Sequence, residues 1–309
     1  MIETYDLSKV FDDFWAVNGV SLTVRPGQVL ALLGQNGAGK TTTVRLLTAL
    51  LRPTRGWARV YGYDVATQGS QVRAFIGVLT EQHGLYLRMT AREYLDFFGK
   101  AYRLDPQQRV ARRDQLLEYF GLTAFADRRI GEYSKGMKQK LALARALIHD
   151  PPVLLLDEPT SAMDPESARL VREHIAGLKS SQRTIVICTH NLIEAEMLAD
   201  TVAIIHRGRI LIQGTLDELK ESVLGPREYR VQFAHPWSLD GFAPPPGAVL
   251  VHHDPLSLRF RVDRPHYVNP QLLQELVACR APVVAMQEVP RSLEQVYLKV
   301  MENVQKSDA

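Results

Sequence analysis

The stretch "GQNGAGKT", Gly34 to Thr41, constrains this chain more than any other. It follows the apolar run "QVLALLG" and leads into "KTTTVRLLTALL", where Val44, Leu47, Leu50 and Leu51 recur at helical spacing up to Pro53. A strand, a glycine loop and a helix in that order bring a row of backbone N–H groups to one point. Gly34, Gly37 and Gly39 let the loop curl, and the helix N-terminus adds partial positive charge, so the segment forms a nest for phosphate. Gln35, Asn36, Ala38 and Thr42 complete the predicted contact surface. Lys40 has the reach for β- and γ-phosphates, and the Thr41 hydroxyl can ligate Mg2+. A glycine turn with a solvated lysine would not need the flanking strand and helix.

Two later runs, "PPVLLLDEP" and "RTIVICTH", are short and almost continuously apolar, the pattern of strands covered on both faces in a parallel sheet. Helical segments at about 136–149 and 165–179 lie around them, and the alternation predicts an α/β fold. In an open α/β sheet the carboxyl ends of the strands border the ligand crevice. Asp157 ends one such strand, with Glu158 next to it, and His190 closes the following one. Adjacent carboxylates at that edge can divide labour, Asp157 toward Mg2+ and Glu158 toward the water that attacks a γ-phosphate. His190 is placed to hydrogen-bond that phosphate.

Residues 90–130 interrupt the alternation with two helical patterns, "TAREYLDFFGKAYRL" and "PQQRVARRDQLLEYFGL", and no strand between them. After about residue 220 the pattern changes again. "EYRVQF", "AVLVHH" and "LRFRV" read as strands, followed by helix, strand and helix, the order of a small α+β unit. The "FAPPPG" stretch reads as a stiff surface connection. The chain is 309 residues long with 37 Lys and Arg against 34 Asp and Glu, a net +3 that is too mild to argue for a nucleic-acid partner, and none is expected. No apolar run approaches the about 18 residues of a membrane span, and the start has no signal-peptide pattern, so the expectation is a cytoplasmic chain. Cys188 and Cys279 read as buried apolar residues without a disulfide.

These parts, in this order, resemble the ATP-binding-cassette (ABC) ATPases over about residues 2–220. The likeness rests on a Walker A loop at Gly34–Thr41, a Q-loop at Glu81 and Gln82, a signature motif at Tyr133–Met137 and a Walker B strand at Val153–Glu158. A D-loop at Ser161–Asp164 and a switch histidine at His190 complete it. It implies a P-loop NTPase core at residues 1–220, with a helical subdomain at about 84–150 and an α+β accessory domain at 221–309. ATP is the implied nucleotide, since no N-K-x-D element for guanine is present. Phe11 aligns with the adenine-stacking aromatic, with Trp15 as the alternative. Either Glu81 or Gln82 fills the Q-loop position near Mg2+.

The resemblance also gives "YSKGM" a meaning. The helix it opens has no acidic residue in its first turn, as befits an end that meets phosphate. Ser134 and the N–H of Gly136 would donate to ATP held by a second subunit, while the residues alone read Ser134 as an N-cap. The family's L-S-G-G-Q differs here at Tyr133, Lys135 and Met137. A second copy or a sister ATPase is thereby implied, together with transmembrane permease subunits and a place on the cytoplasmic face of the cell membrane. Leu85, Tyr86 and Leu87 stand where a helix from such a subunit would dock, or else in the core. "YSKGM", "IGVLTEQHGLY" and the closing "SLEQVYLKV" together resemble single-cassette exporters of the multidrug, antibiotic and sodium type. An importer or a soluble mechanical cassette stays open.

Overall fold

The computed structural model describes residues 1–308, which form two compact units, Met1–Leu216 and the residues from Asp217 onward. In the first unit β1 (Ile2–Phe11), β2 (Phe14–Val24), β4 (Arg55–Val60) and β5 (Tyr63–Asp64) make an antiparallel sheet in the order β2-β1-β4-β5. The turn at Arg25–Gly27 carries the chain out of that sheet into β3 (Val29–Leu33), the middle of a second sheet, so the two runs it separates never pair. β3 leads into α1 (Lys40–Leu47), and β4 and β5 lead through α2 (Gly69–Ala74) to β6 (Ile76–Leu79). Beyond the helical insertion come β7 (Val153–Asp157), α6 (Pro165–Gly177), β8 (Thr184–Thr189), α7 (Leu192–Leu198), β9 (Thr201–His206) and β10 (Arg209–Gly214). The second sheet runs β10-β9-β3-β8-β7-β6, parallel except for the β9–β10 hairpin.

Alternating residues of the central strands feed two separate cores. Leu154 and Leu156 of β7 and Ile185 and Ile187 of β8 face one cluster, while Val153, Leu155, Val186 and Cys188 face the other. Both faces are therefore apolar, which is why these strands read as unbroken hydrophobic runs. Each such side chain contributes roughly 1.5–3 kcal/mol by leaving water.

The insertion consists of α3 (Ala91–Ala101) and α4 (Pro106–Tyr119), followed by α5 (Lys135–Ala146). Thr90 and Glu93 form a reciprocal capping box on α3, and Asp105 caps α4 ahead of Pro106. α1 is shorter than its apolar spacing predicts. It stops at Leu47, Ala49 takes a left-handed backbone (φ 55°), and Leu50 is 65% exposed rather than part of a buried face. Leu85 packs against the core, whereas Tyr86 and Leu87 are exposed, Tyr86 within an aromatic group formed with Tyr94, Phe97 and Phe98.

α8 (Leu216–Leu224) leads into the second unit, where β11 (Glu228–Phe233), β12 (Ala248–Asp254), β13 (Ser257–Val262) and β14 (Val283–Glu288) pair antiparallel in the order β12-β13-β11-β14. α9 (Pro265–Ala278) supplies Val268, Leu272 and Leu276 to a core with Val231, Phe260 and Val262. In α10 (Leu293–Asp308), Leu293, Val296 and Val300 are buried at helical spacing. The "FAPPPG" stretch is less superficial than it reads: Phe242 packs edge-on to Phe260, and Pro245 is buried. Cys279 is likewise only half-buried, and both cysteines are free thiols.

The insertion meets the central sheet at a polar seam. The His149 ring stacks on Tyr102 with centroids 3.7 Å apart, and its Nε2 lies 3.0 Å from the carbonyl of Ile76. Burial holds the imidazole down at about 4, from an ordinary 6.5. Between those values the unfolded chain binds a proton that the native chain refuses, so native stability must fall as pH falls through that window. The contribution lost by pH 5 is about 2 kcal/mol. Urea unfolding at pH 7.5 and pH 5 should reveal it as a difference between wild type and His149→Phe, which keeps the ring stack and lacks the titrating nitrogen.

Candidate active site

The glycine loop leaves β3 at Gly34, whose N–H donates to Thr189 O at 3.2 Å, and closes on itself through Ala38 N to Gln35 O at 3.1 Å. Gly39 stands at the N-cap of α1 with φ 107°, and a Cβ there would lie 2.4 Å from the carbonyl oxygen of Ala16. That position admits glycine alone. α1 has no side-chain cap and no acidic residue in its first turn, so its positive end faces the loop uncompensated.

Lys40 is 5% exposed. Its Nζ donates to the carbonyls of Gly34 at 2.7 Å and Gln35 at 3.1 Å, and pairs with Glu158 Oε1 at 3.1 Å. The Glu158 backbone is left-handed (φ 51°), which a non-glycine residue adopts at a cost of about 1–2 kcal/mol. Its N–H donates to Cys188 O at 2.8 Å, anchoring the turn to β8. The other carboxylate oxygen, Oε2, lies 2.8 Å from His190 Nδ1. Lys40, Glu158 and His190, far apart in the sequence, thus form one chain of polar contacts.

Asp157 ends β7, 2% exposed, with Thr41 nearby. Burial pushes its carboxyl above the usual range, the Thr41 hydroxyl opposes that, and the charges of Glu158 and Glu81 add to it. Oδ1 of Asp157 is buried without a hydrogen-bond partner. A buried carboxylate oxygen left this way, beside a threonine hydroxyl, suits a hard cation with oxygen ligands.

A cavity of about 490 Å³ opens over these groups, walled by Asn36, Gly37, Gly39, Lys40, Thr41 and Thr42 on the loop side and by Glu158 and His190 opposite. Gly34, Gln35 and Ala38 build the loop without facing the cavity. Two expectations change. Gln82 is not at the cavity; Glu81 is. The segment turns sharply there, with the Thr80 hydroxyl donating to Gln82 O and His83 Nδ1 at 2.9 Å from Thr80 O, and this turn leaves Gln82 exposed. The cavity aromatic is Phe14 rather than Phe11 or Trp15. Phe11 and Phe14 are cross-strand partners at the end of the β1–β2 hairpin, but Phe11 sits beneath the Lys9 ammonium and Trp15 beneath Arg55. Ala16 and Ser161 also line the cavity. A hairpin-end aromatic was there to be read, but which of the two paired rings reaches the cavity depends on how the hairpin end is set against the glycine loop.

Ser134 and Gly136 lie elsewhere, at the start of α5. The Ser134 hydroxyl accepts from Met137 N at 3.2 Å, an N-cap with no acidic residue behind it, and Ser134 is exposed. Gly136 faces α6, where an added Cβ would meet Ser167 Oγ at 3.2 Å. Tyr133, the departure from leucine, is core: it is buried, and its hydroxyl donates to Phe125 O at 2.7 Å. Lys135 Nζ donates to Ala162 O at 2.6 Å and Gln139 to Pro159 O, tying this helix to the loop after Glu158.

A family model described as ABC transporter matches residues 17–161, within the unit that carries this site. The chain is 44% identical over 227 residues to the ABC transporter ATP-binding protein NatA of Bacillus subtilis, covering 72% of this chain and 92% of that protein. The chain belongs to the ABC transporter family. It is an ATP-binding subunit with an ABC ATPase cassette. The alignment with the daunorubicin/doxorubicin resistance ATP-binding protein DrrA of Streptomyces peucetius is 35% identical and covers 96% of this chain and 91% of that one. A second family model, described as the C-terminal domain of DrrA1-3-like ATP-binding proteins, matches residues 214–301. Among solved structures, one titled as the ATP binding subunit of an ABC transporter superposes with a TM-score of 0.67 at 32% identity, covering 73% of this chain and 94% of that one.

In this cassette Phe14 is the aromatic that reaches the cavity and Phe11 is not. Phe14→Ala should therefore weaken binding of a fluorescent ATP analogue about 5- to 30-fold, a loss of about 1–2 kcal/mol of ring contact, while Phe11→Ala leaves it near wild type.

Proposed function

We propose that this subunit hydrolyses MgATP as one half of a paired ATPase that powers export through separate transmembrane subunits. The reading rests chiefly on the Lys40–Glu158–His190 chain of contacts beneath the glycine loop. An incoming polyphosphate would replace the Gly34 and Gln35 carbonyls at the Lys40 ammonium and release Glu158 from its ion pair. Glu158 then takes the proton of the water whose oxygen forms the bond to the γ-phosphorus, while the bond to the β–γ bridging oxygen breaks and ADP keeps that oxygen. His190 orients the Glu158 carboxylate through Nδ1 and has its other ring nitrogen free to face the phosphate. Thr41 and Asp157 would hold Mg2+, with phosphate and water oxygens filling the rest of its shell. When bound, the ion supplies neutralisation of phosphate charge.

Pairing follows from what one chain lacks. The Ser134–Gly136 helix end carries unopposed positive charge and is exposed, away from its own chain's cavity. In a pair of copies, or with a sister ATPase, it would close over the γ-phosphate of the opposite site, exchanging its capping role for phosphate contact. No helix among the described residues is long and apolar enough to cross a membrane. The transport path would thus belong to permease subunits, with this chain peripheral on the cytoplasmic face. A groove of about 260 Å³ lined by Leu50, Ile76, Val78, Phe98, Tyr102 and Arg145 is the apolar surface for a helix of such a subunit. It continues the Leu85–Leu87 segment: Tyr86 and Leu87 are exposed and Tyr86 stacks on the Phe98 ring, while Leu85 packs against the core. Export is favoured over import by relatives named for daunorubicin resistance and Nod factor export. The second unit is assigned to packing or pairing.

Glu158→Gln should lower ATP turnover by about 100-fold or more while preserving binding. With MgATP it should form a dimer by size-exclusion chromatography with light scattering, and adding Ser134→Trp should return it to monomer. A Glu158→Gln protein that turns ATP over like wild type would remove the base from this scheme.

A further inference from the structure

Glu194 is a carboxylic acid that the scheme above leaves unused. It lies in the first turn of α7, wholly buried at 0% exposure. The Thr160 hydroxyl donates to its Oε1 at 3.0 Å, and Thr160 is itself 7% exposed. Thr160 belongs to the turn that opens at Glu158, where Ser161 N donates back to Glu158 O at 3.2 Å. Glu194 itself follows His190 on the same loop and helix start, and its N–H donates to Asn191 Oδ1 at 3.2 Å. Thr189, the last residue of β8, fixes the start of that loop, its Oγ1 accepting from Asn191 N at 3.0 Å. One buried residue therefore ties together both loops that carry the site's polar groups.

A buried carboxyl is costly unless its environment gives it something to do. Glu194 has a further oxygen, Oε2, with no hydrogen-bond partner, and Arg172 on α6 has an equally orphaned Nε. Burial pushes the Glu194 carboxyl upward; the Thr189 and Thr160 hydroxyls and the Arg172 charge oppose this, and the Glu158 charge reinforces it. A leucine there would fill space at lower cost. We propose that Glu194 is a positioning residue: by holding Thr160 from the first turn of α7, just beyond His190, it sets the separation at which the Glu158 carboxylate and the His190 imidazole meet. The proposal rests on the reading of Glu158 as base only for its effect on rate, since the bridge itself concerns geometry.

The test uses the full chain carrying Glu194→Ala, Glu194→Gln or Thr160→Val, with turnover measured with its membrane partners present. A displaced base costs rate more than binding, so Glu194→Ala and Thr160→Val should each lower kcat about 10- to 100-fold with KM for ATP within about 2-fold. Glu194→Gln, which keeps the shape and an accepting oxygen, should recover most of that rate. In parallel, the ring 15N shifts of His190 report its hydrogen bond to Glu158 without any turnover. They should move toward a free imidazole in Glu194→Ala and Thr160→Val and stay near wild type in Glu194→Gln. Wild-type ring shifts in the first two variants would overturn the bridge, whatever the rates. So would Glu194→Gln matching Glu194→Ala in both readouts, or losses that simply track a lowered Tm. Altered ring shifts with unaltered kcat would leave the bridge standing and instead count against Glu158 as base.

Discussion

An ammonium and a carboxylate held almost out of water, Lys40 and Glu158, organise the rest of the first unit. Such a pair persists only if the surrounding groups complete its hydrogen bonding, because removing either charge strands the other in a medium of low dielectric. Here the Gly34 and Gln35 carbonyls take up the ammonium and His190 takes up the carboxylate. Lys40 is thereby occupied by groups that a phosphate can displace, since phosphate offers several charged acceptors where the loop offers two neutral ones. The pairing thus both keeps the site ordered and, in the proposed scheme, is the contact that substrate binding would exchange.

The pair can form because three strand ends arrive together. β3, β7 and β8 are adjacent and parallel in the central sheet, so Gly34, Glu158 and His190, each just beyond a strand, emerge along one edge. The register is held by two apolar cores that take alternate residues from the same strands. A slip of one residue would send every side chain to the wrong core, which is why the edge is sharply defined. Backbone strain at Glu158 and the forced glycine at Gly39 sit at that edge, where the sheet is rigid enough to impose them.

Around this edge, neighbouring elements are tied to the site by single polar contacts to backbone carbonyls. Gln139 and Lys135 of the α5 segment reach the loop after Glu158, and Arg145 of the same helix donates to His83 O at 2.6 Å. Arg145 also contacts the Tyr94 hydroxyl and lies over the Phe98 ring, while lining the groove assigned to a membrane subunit. One helix therefore contacts the segment holding Glu81, the loop holding Ser161 and the helical insertion.

The amino-acid sequence alone determined the class of fold, the glycine loop, and the places of Lys40, Thr41, Asp157, Glu158 and His190 at the ends of their elements, because each depends on spacing along one element. The loop's backbone conformation needs glycine at fixed positions, and a strand buried on both faces has no choice but a continuous apolar run. Where α1 ends, which of Glu81 and Gln82 reaches the cavity, and that Phe14 rather than Phe11 lines it were decided by tertiary structure. These depend on how the β1–β2 hairpin end is set against the glycine loop, on a turn fixed by the Thr80 hydroxyl and on a left-handed residue at Ala49. The buried bridge through Glu194 was invisible for the same reason. Thr160 and Glu194 are ordinary residues along the chain, and only the packing of α7 against the loop after Glu158 brings them within a hydrogen bond of one another.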